Sequence, residues 1–572
     1  MAFLLLVAIL PLVTSQPLPR FPPRQNQTWP DRTFPGMQTF PSRDEWARLV
    51  ASLQGKLISP QSDPATYANI SVPHNLRVMR QPGAIVMVET TEDVQKVVRF
   101  AKKYDLFVTV WSSGHSYIGR STHDGALVIN LERMKGKTFN LNSERSPAGE
   151  VAVESGNSWL EVYQAVDEQV TRDADNNQVR RVIVGGSAHT VAMGGYTQGG
   201  GHSPIGRSLG LAVDNLLQAT IVLADGRKAV VSDRGMTITD LEGVTTSSDD
   251  TSLFWAIRGG GGGTWGVVTE FVFKLHYAPQ RLRRVTLAWA MAYWDGTKVV
   301  DIGSNILRTV LNTLPTLSRD WGGYMIVSGT PLLPTVFGSI TLFLNHFGSD
   351  DSPSNNEINP LLNLNATGNQ YLRDEKRHDT FLAYEYEAID PAHTNAYIFD
   401  NFIQPDIADN ATKKEELVRF FMGLLQPPDD KSAYVCTGTL IGGKMGEVAE
   451  GVTPVNPKFR SGLLALTCGL AFPEYTGKDD FYIGNALQMR DRLARIDEGT
   501  YFNEPAEDLD DWKTAFWGKG DNYNRLLYVK RKWDPDFFFW CHNCVGSDEK
   551  PPCPRHILGG WRYLPGPGDR KP

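Results

Sequence analysis

One histidine, His115, stands in the run Trp111-Ser112-Ser113-Gly114-His115-Ser116-Tyr117, where a hydrophobic stretch gives way to small, turn-forming residues. An imidazole titrates near neutral pH and can serve as a nucleophile or a hydrogen-bonding group. The serines and the glycine around it let hydroxyls and backbone amides come close to an anionic ligand. Two later stretches share that character: Gly194-Gly195-Tyr196-Thr197-Gln198-Gly199-Gly200-Gly201-His202, and Gly259 to Gly263 running on to Gly266. Glycine loses more freedom on folding than any other residue, so such density makes sense where backbone lies flat against something. Taken alone, each stretch also reads as an ordinary loop.

The elements that must hold these loops are visible as hydrophobic patterns. Ala84–Val88 reads as a strand, Thr91 onward as a helix with Val94, Val97, Val98, Phe100 and Ala101 on its apolar side, and Leu106–Trp111 as the strand entering the His115 loop. Ala126–Leu131 and Val151–Glu154 follow as strands and Ser158–Asp167 as a helix. Leu216–Leu223 enters a hairpin turn at Ala224-Asp225-Gly226-Arg227 and returns through Ala229–Val231. Gly261 to Gly266 satisfies G-x-G-x-x-G, but a dinucleotide fold needs a strand before that motif and a helix after it. Here the helix-like Ser252–Arg258 precedes and the strand-like Val267–His276 follows. The Rossmann reading is rejected in favour of a loop whose amides approach an anionic cofactor. No G-K-[ST] and no H-E-x-x-H occurs.

Further along, Arg284–Ala290, Gly323–Val327 and Ser339–Phe343 alternate as strands, with helices expected around Lys414–Leu425 and Gly484–Ile496. Tyr384 and Tyr386 alternate as they would on a strand, lining a pocket or packing in a sheet. The chain of 572 residues has room for two or three domains, its charged fraction of 21% is ordinary, and its net charge of -7 is mild. No basic tract suited to nucleic acid is present, Lys530-Arg531-Lys532 being too short. Residues 1–15 have the shape of a signal peptide without a basic start, and no other run is long and apolar enough to cross a membrane. Sequons at Asn26, Asn69, Asn365 and Asn410 agree with secretion and glycosylation. The five cysteines, Cys436, Cys468, Cys541, Cys544 and Cys553, leave one unpaired within the chain. A disulfide among the last three is preferred to zinc, so no metal is expected.

Taken together the loops resemble the FAD-linked oxidases of the vanillyl-alcohol oxidase superfamily, berberine bridge enzyme-like branch. The matching pieces are Ser112 to Tyr117; Gly194-Gly195-Tyr196 through His202 to Asn215; Leu253 to Gly260; Gly266-Val267-Val268-Thr269; and Tyr501-Phe502-Asn503 with Arg525-Leu526, Lys530 and Asp534-Pro535. The resemblance covers about residues 75–280 and 500–547. It implies an α+β fold in which a two-part PCMH-type FAD-binding domain is interrupted by a substrate domain with an antiparallel sheet flanked by helices. The expected partition is a signal peptide at 1–15, an N-terminal extension at 16–75, the FAD-binding domain at 76–280 and the substrate domain at 281–500. A segment at 501–547 completes the FAD domain, and 548–572 is a tail.

The same resemblance implies that His115 bonds covalently to the 8α carbon of FAD, with Ser112, Ser113, Gly114, Ser116 and Tyr117 around it. Gly194, Gly195, Gly200, Gly201, His202, Asn215, Gly259, Gly260, Gly266, Val267, Val268 and Asn503 are the other expected cofactor residues. Many relatives add a cysteinyl link just before the Gly-Gly pair. Ala188 stands at that place here, so a single histidyl link is expected. The catalytic base is expected at Tyr501 or at Glu504, which stands where a tyrosine is common; a solvated loop carboxylate is the plainer reading of Glu504. The implied activity is that of a secreted oxidase that moves hydride from an alcohol, sugar or amine C–H to flavin and then to O2, giving H2O2. A dehydrogenase with another acceptor, or a silent secreted flavin-binding protein, are the alternatives.

Overall fold

The computed structural model describes residues 41–349, 351–364, 370–388, 393–474 and 477–549. The expected leader at 1–15, the sequons at Asn26 and Asn365, Cys553 and nearly all of the tail lie outside the described residues.

The first sheet has the order Lys56–Ile58, Ala84–Met87, Leu127–Asn130, Val108–Trp111. Its outer pair is antiparallel and the remaining pairs are parallel. A parallel neighbour needs a crossover, and the helix Thr91–Lys103 supplies it, burying Val94, Val97, Val98 and Ala101. Its start is set by Thr90, whose hydroxyl accepts from the Asp93 amide at 3.2 Å. The buried Asp93 carboxylate is in turn held by the amides of Gln54 and Gly55 at 3.0 and 2.9 Å.

The second sheet is antiparallel and seven-stranded, in the order Thr245–Ser248, Gly235–Thr239, Lys228–Ser232, Leu216–Val222, Val267–Lys274, Glu150–Glu154, Lys137–Asn140. The Leu216–Val222 hairpin forms as its turn residues require, with Gly226 at φ +87°. The core on this sheet holds Trp159, Phe254, Trp265 and Phe273, and also Leu526 and Val529 of the late helix Asn522–Trp533. That helix is anchored by Lys530, whose buried ammonium donates to Thr264 O, Phe539 O and Asp534 Oδ2 at 2.6 to 2.7 Å. Three acceptors, one of them charged, offset the cost of burying that cation.

The third sheet is antiparallel and eight-stranded. Along its main path lie Val299–Asp301, Leu282–Trp294, Val336–His346, Trp321–Leu333, Ala433–Leu440, Leu464–Ala471 and Ala396–Ile403, with Gln370–His378 also pairing Leu282–Trp294. The helices Gly303–Thr313, Ala411–Gly423 and Asp479–Leu493 share one apolar core with it. Cys436 and Cys468 are directly opposed on adjacent strands and form a disulfide; Cys541 and Cys544 form a second.

One element differs from expectation. Phe381–Glu385 is a short helix, not a strand, because Thr380 caps it through the Ala383 amide at 3.0 Å. A helical turn places Phe381, Tyr384 and Glu385 together inside, while Tyr386 is 56% exposed. Among the described residues, no helix is long and apolar enough to cross a membrane and no cluster of side chains could hold a metal ion.

Candidate active site

The strand Val108–Trp111 ends under the His115 loop, and Trp111 explains the glycine in it. A Cβ at Gly114 would fall 2.2 Å from the Trp111 ring, and φ there is +72°. The loop then locks onto the segment that precedes the second glycine stretch. Ser113 Oγ accepts from the Ala192 amide at 2.9 Å, and a Cβ at Gly194 would lie 2.2 Å from Ser112 Oγ. Ser116 Oγ accepts from the Arg120 amide at 3.0 Å, and the Tyr117 carbonyl accepts from Asn75 at 2.8 Å. His115 stacks on His74 with ring centroids 4.3 Å apart, and its Nε2 lies 2.9 Å from Thr190 Oγ. Burial, with His74 and His393 nearby, pushes the His115 imidazole down to about 3, so the ring is neutral at physiological pH.

The helix Met193–Gln198 carries Gly194 and Gly195. Gly195 is exposed and a Cβ there would meet nothing within 4 Å, whereas its neighbours Gly194 and Tyr196 are buried. Open space therefore adjoins this helix beside the His115 loop. Gly200 and Gly201 turn the chain with φ of +126° and +75°. That turn aims the Gly201 amide at the Tyr501 hydroxyl, 3.1 Å away.

Tyr501, Asn503 and Glu504 meet this turn from the other side. Asn503 Nδ2 donates to the Tyr501 oxygen at 2.8 Å and to Tyr196 O at 3.1 Å, which orients the amide. The Tyr501 oxygen thus accepts from two N–H groups. Burial first, and then the charge of Glu504, raise this phenol above its ordinary range, while the Gly201 and Asn503 donors oppose the shift. Glu504 is not the solvated carboxylate expected of a loop. Its Oε1 accepts from His202 Nε2 at 3.2 Å and its Oε2 from the Thr467 hydroxyl on the third sheet. Burial works to raise it, but the His202 hydrogen bond and charge and the Thr467 hydroxyl outweigh that, and the carboxyl lies below its usual value. Beneath it Asp400, pushed well up by burial, accepts from the Tyr501 amide.

In the third glycine stretch the chain itself presses on the backbone at several positions. A Cβ at Gly259 would lie 2.6 Å from Val455, at Gly260 2.5 Å from Ala256 O, at Gly261 2.2 Å from the Phe502 ring and at Gly266 2.3 Å from Val222 O. Packing against this chain accounts for all four. Val267 and Val268 lie in the second sheet, paired with Val222 and Ile221. Asn215 is fully buried, donates to Leu209 O and Leu211 O and takes His276 Nε2 at 2.6 Å on its oxygen, so it braces a turn. The structure brings Ser112 to Ser116, Gly194, Gly195, Gly201, His202, Tyr501, Asn503 and Glu504 into one connected network and gives Asn215, Gly259, Gly260, Gly266, Val267 and Val268 structural duties.

Three further contributors were not singled out by sequence. Arg120 joins the His115 loop to the C-terminal segment: its guanidinium covers the Phe502 ring at 3.9 Å and donates to Phe502 O and His542 O. Burial pushes Arg120 down to about 9. Glu385 is fully buried; its Oε1 accepts from Ser187 at 3.2 Å, and the Ser187 oxygen accepts from the Tyr324 hydroxyl at 2.9 Å. Its other oxygen has no partner, and burial pushes the carboxyl up to about 8. The third is Thr190. Its place three residues before the Met193–Gln198 helix was the one available signal.

The chemistry of these groups suits FAD. The loop from Ser112 to Ser116 offers hydroxyls and a neutral imidazole. On the facing segment Thr197 Oγ, Gln198 Oε1 and His202 Nδ1 are buried without a hydrogen-bond partner among the described residues. Unspent polar atoms inside a protein call for a ligand or water.

Comparison with known proteins agrees with that fit. Residues 82–232 match the FAD binding domain family, and residues 500–546 the berberine and berberine-like family. An FAD-linked oxidoreductase of Arthroderma benhamiae is 29% identical over 81% of this chain and 77% of its own. The crystal structure of the VAO-type flavoprotein MtVAO615 from Myceliophthora thermophila C1 superposes with a TM-score of 0.71 at 24% identity, covering 90% of this chain and 97% of that one. The glucooligosaccharide oxidase of Acremonium strictum, whose structure is described as holding 6-S-cysteinyl, 8α-N1-histidyl FAD, superposes at 0.67 with 20% identity over 87% and 98%. Residues 82–232 thus carry an FAD binding domain and residues 500–546 a berberine-like segment, and the chain, an FAD-dependent oxidoreductase, is similar to FAD-linked oxidoreductases and shares its fold with VAO-type flavoproteins.

Proposed function

We propose that the protein is a secreted oxidase that holds FAD through one covalent bond to His115 and oxidises a C–H of an alcohol, sugar or amine, producing H2O2. The observation that carries this reading is the network in which the Gly201 turn, Tyr501, Asn503, His202 and Glu504 converge beside the open face of Gly195. Bound FAD supplies the hydride acceptor and passes the electron pair to oxygen.

Each residue has a part in that division of labour. The Tyr501 oxygen already accepts two N–H donors, so its own hydrogen is the one it offers to a substrate oxygen or nitrogen. Glu504 holds a negative charge at neutral pH and is the base that takes the substrate proton. His202 and Thr467 keep it oriented. Ala188 offers no nucleophile for a second link, so His115 is the sole attachment. The oligosaccharide oxidase among the similar structures favours a sugar C–H among the three classes. The two disulfides suit an oxidising compartment.

The test is to denature the purified protein in acid, and separately to mix it without oxygen with a panel of oligosaccharides, alcohols and amines. Yellow flavin remaining with the polypeptide, bleaching by one class, and one peroxide formed per substrate in air are the expected results. Glu504→Gln and Tyr501→Phe should each slow bleaching by about 10²- to 10⁴-fold, the usual worth of a positioned acid or base. Release of all flavin into the supernatant refutes the covalent bond, and dye reduction without peroxide refutes the oxidase.

A further inference from the structure

The His115 ring has one hydrogen-bond partner among the described residues, Thr190 Oγ at 2.9 Å from Nε2, and none at Nδ1. Its face is fixed as well, lying on the His74 ring at 4.3 Å with the planes 19° apart. A neutral imidazole has one N–H and one lone pair, and the partner of one nitrogen decides where the hydrogen sits. Only the nitrogen without hydrogen can form a bond to carbon.

We infer that Thr190 is a positioning residue for cofactor attachment, accepting the Nε2–H of His115 so that the lone pair is left at Nδ1, the atom that bonds to the flavin. The inference rests on the single histidyl bond proposed above. In that reaction one C–H of the flavin's 8-methyl group and the N–H of His115 are broken and one C–N bond forms. The two electrons and two protons released leave with dioxygen as hydrogen peroxide. The imidazole proton departs from Nε2, on the Thr190 side, so the alkylated ring ends neutral. Were Thr190 to donate to Nε2 instead, Nδ1 would carry the hydrogen and could not attack. A partner that sets the tautomer of a metal-ligating histidine is commonly worth 10- to 100-fold when removed, and a loss of that order is expected here.

The experiment uses the full chain, prepared without flavin and then given FAD in air. Covalent incorporation is followed as yellow colour that stays with acid-denatured protein, alongside total flavin bound and the thermal midpoint. Thr190→Val keeps the shape and removes the acceptor; Thr190→Ser keeps the hydroxyl. Incorporation about 10- to 100-fold slower in T190V, with total binding and thermal midpoint unchanged and the wild-type rate restored in T190S, is the expected result. Fragmentation of the flavin peptide should place the bond at Nδ1. Wild-type incorporation in T190V, or a bond at Nε2, overturns the role of Thr190 while leaving the covalent reading intact. Wild-type protein that loses all its flavin in acid overturns both.

Discussion

Glu504 and Glu385 are both carboxyls held at the meeting of the glycine loops with the third sheet, and they are driven in opposite directions. Glu504 has a partner for each oxygen, His202 and Thr467, and is held below its usual range, helped by the quarter of its side chain (24%) that still reaches solvent. Glu385 has Ser187 alone, one oxygen without a partner and no exposure, and is pushed up to about 8. The lesson is that burial does not decide the charge of an acid. The balance between burial and the donors and charges that oppose it does. One acid is thereby kept ready to take a proton near neutrality, and the other is kept as a neutral hydrogen-bonding group.

The sharpest way to break this contrast is Glu385→Gln. The ordinary carboxyl value is 4.5 and the folded value about 8. Below 4.5 both states carry the proton; between 4.5 and 8 the unfolded chain gives it up and the folded chain does not. Stability is therefore lost as pH rises through that window, at about 1.4 kcal/mol per pH unit. The amide in E385Q cannot ionise, so the gap between the thermal midpoints of variant and wild type should widen from pH 5 to pH 8, and parallel curves would show that Glu385 is ionised in the fold. Glu504→Gln should act with the opposite sign. At pH 7 it should cost about 1.5–3 kcal/mol, the worth of hydrogen bonds to a charged group. Because the folded value is depressed, the wild-type advantage is lost as pH falls below about 4.5; denaturant unfolding at pH 7 and pH 3.5 reads this.

Smaller effects refine the picture. Thr467→Val should cost about 1 kcal/mol and raise the Glu504 carboxyl, visible as a higher midpoint in the acid limb of the stability curve. Ser187→Ala should cost about 0.5–1.5 kcal/mol and move the Glu385 transition further upward, since that hydroxyl is the one donor working against burial. Equal shifts in both variants would mean that the two sites titrate as one.

Much of the scaffold is legible along the chain because its pattern is local. The Thr91–Lys103 helix announces its apolar face and its cap, and the Leu216 hairpin its turn. The FAD binding domain of residues 82–232 is equally legible. The glycine stretches were half legible: in both, something does press against the backbone, but at Gly259, Gly260, Gly261 and Gly266 it is Val455, Ala256, Phe502 and Val222. Glycine in a sequence reports a close approach and not the identity of what approaches. Glu385 is hidden along the chain because its tyrosine neighbours alternate as on a strand. The Thr380 cap turned the segment into a helix and reversed which residue faces in.

Residue order alone therefore carries the types and spacings: a histidine in a serine-glycine loop, an alanine six residues before a Gly-Gly pair, and a Tyr-X-Asn segment near the far end. Charge and proton placement await the folded chain. Thr190 reaches His115 across 75 positions, Thr467 reaches Glu504 across 37 and Ser187 reaches Glu385 across 198. A pKa or a tautomer depends on groups within a few ångströms in space, and no periodicity in one strand of sequence records which distant hydroxyl will be standing there.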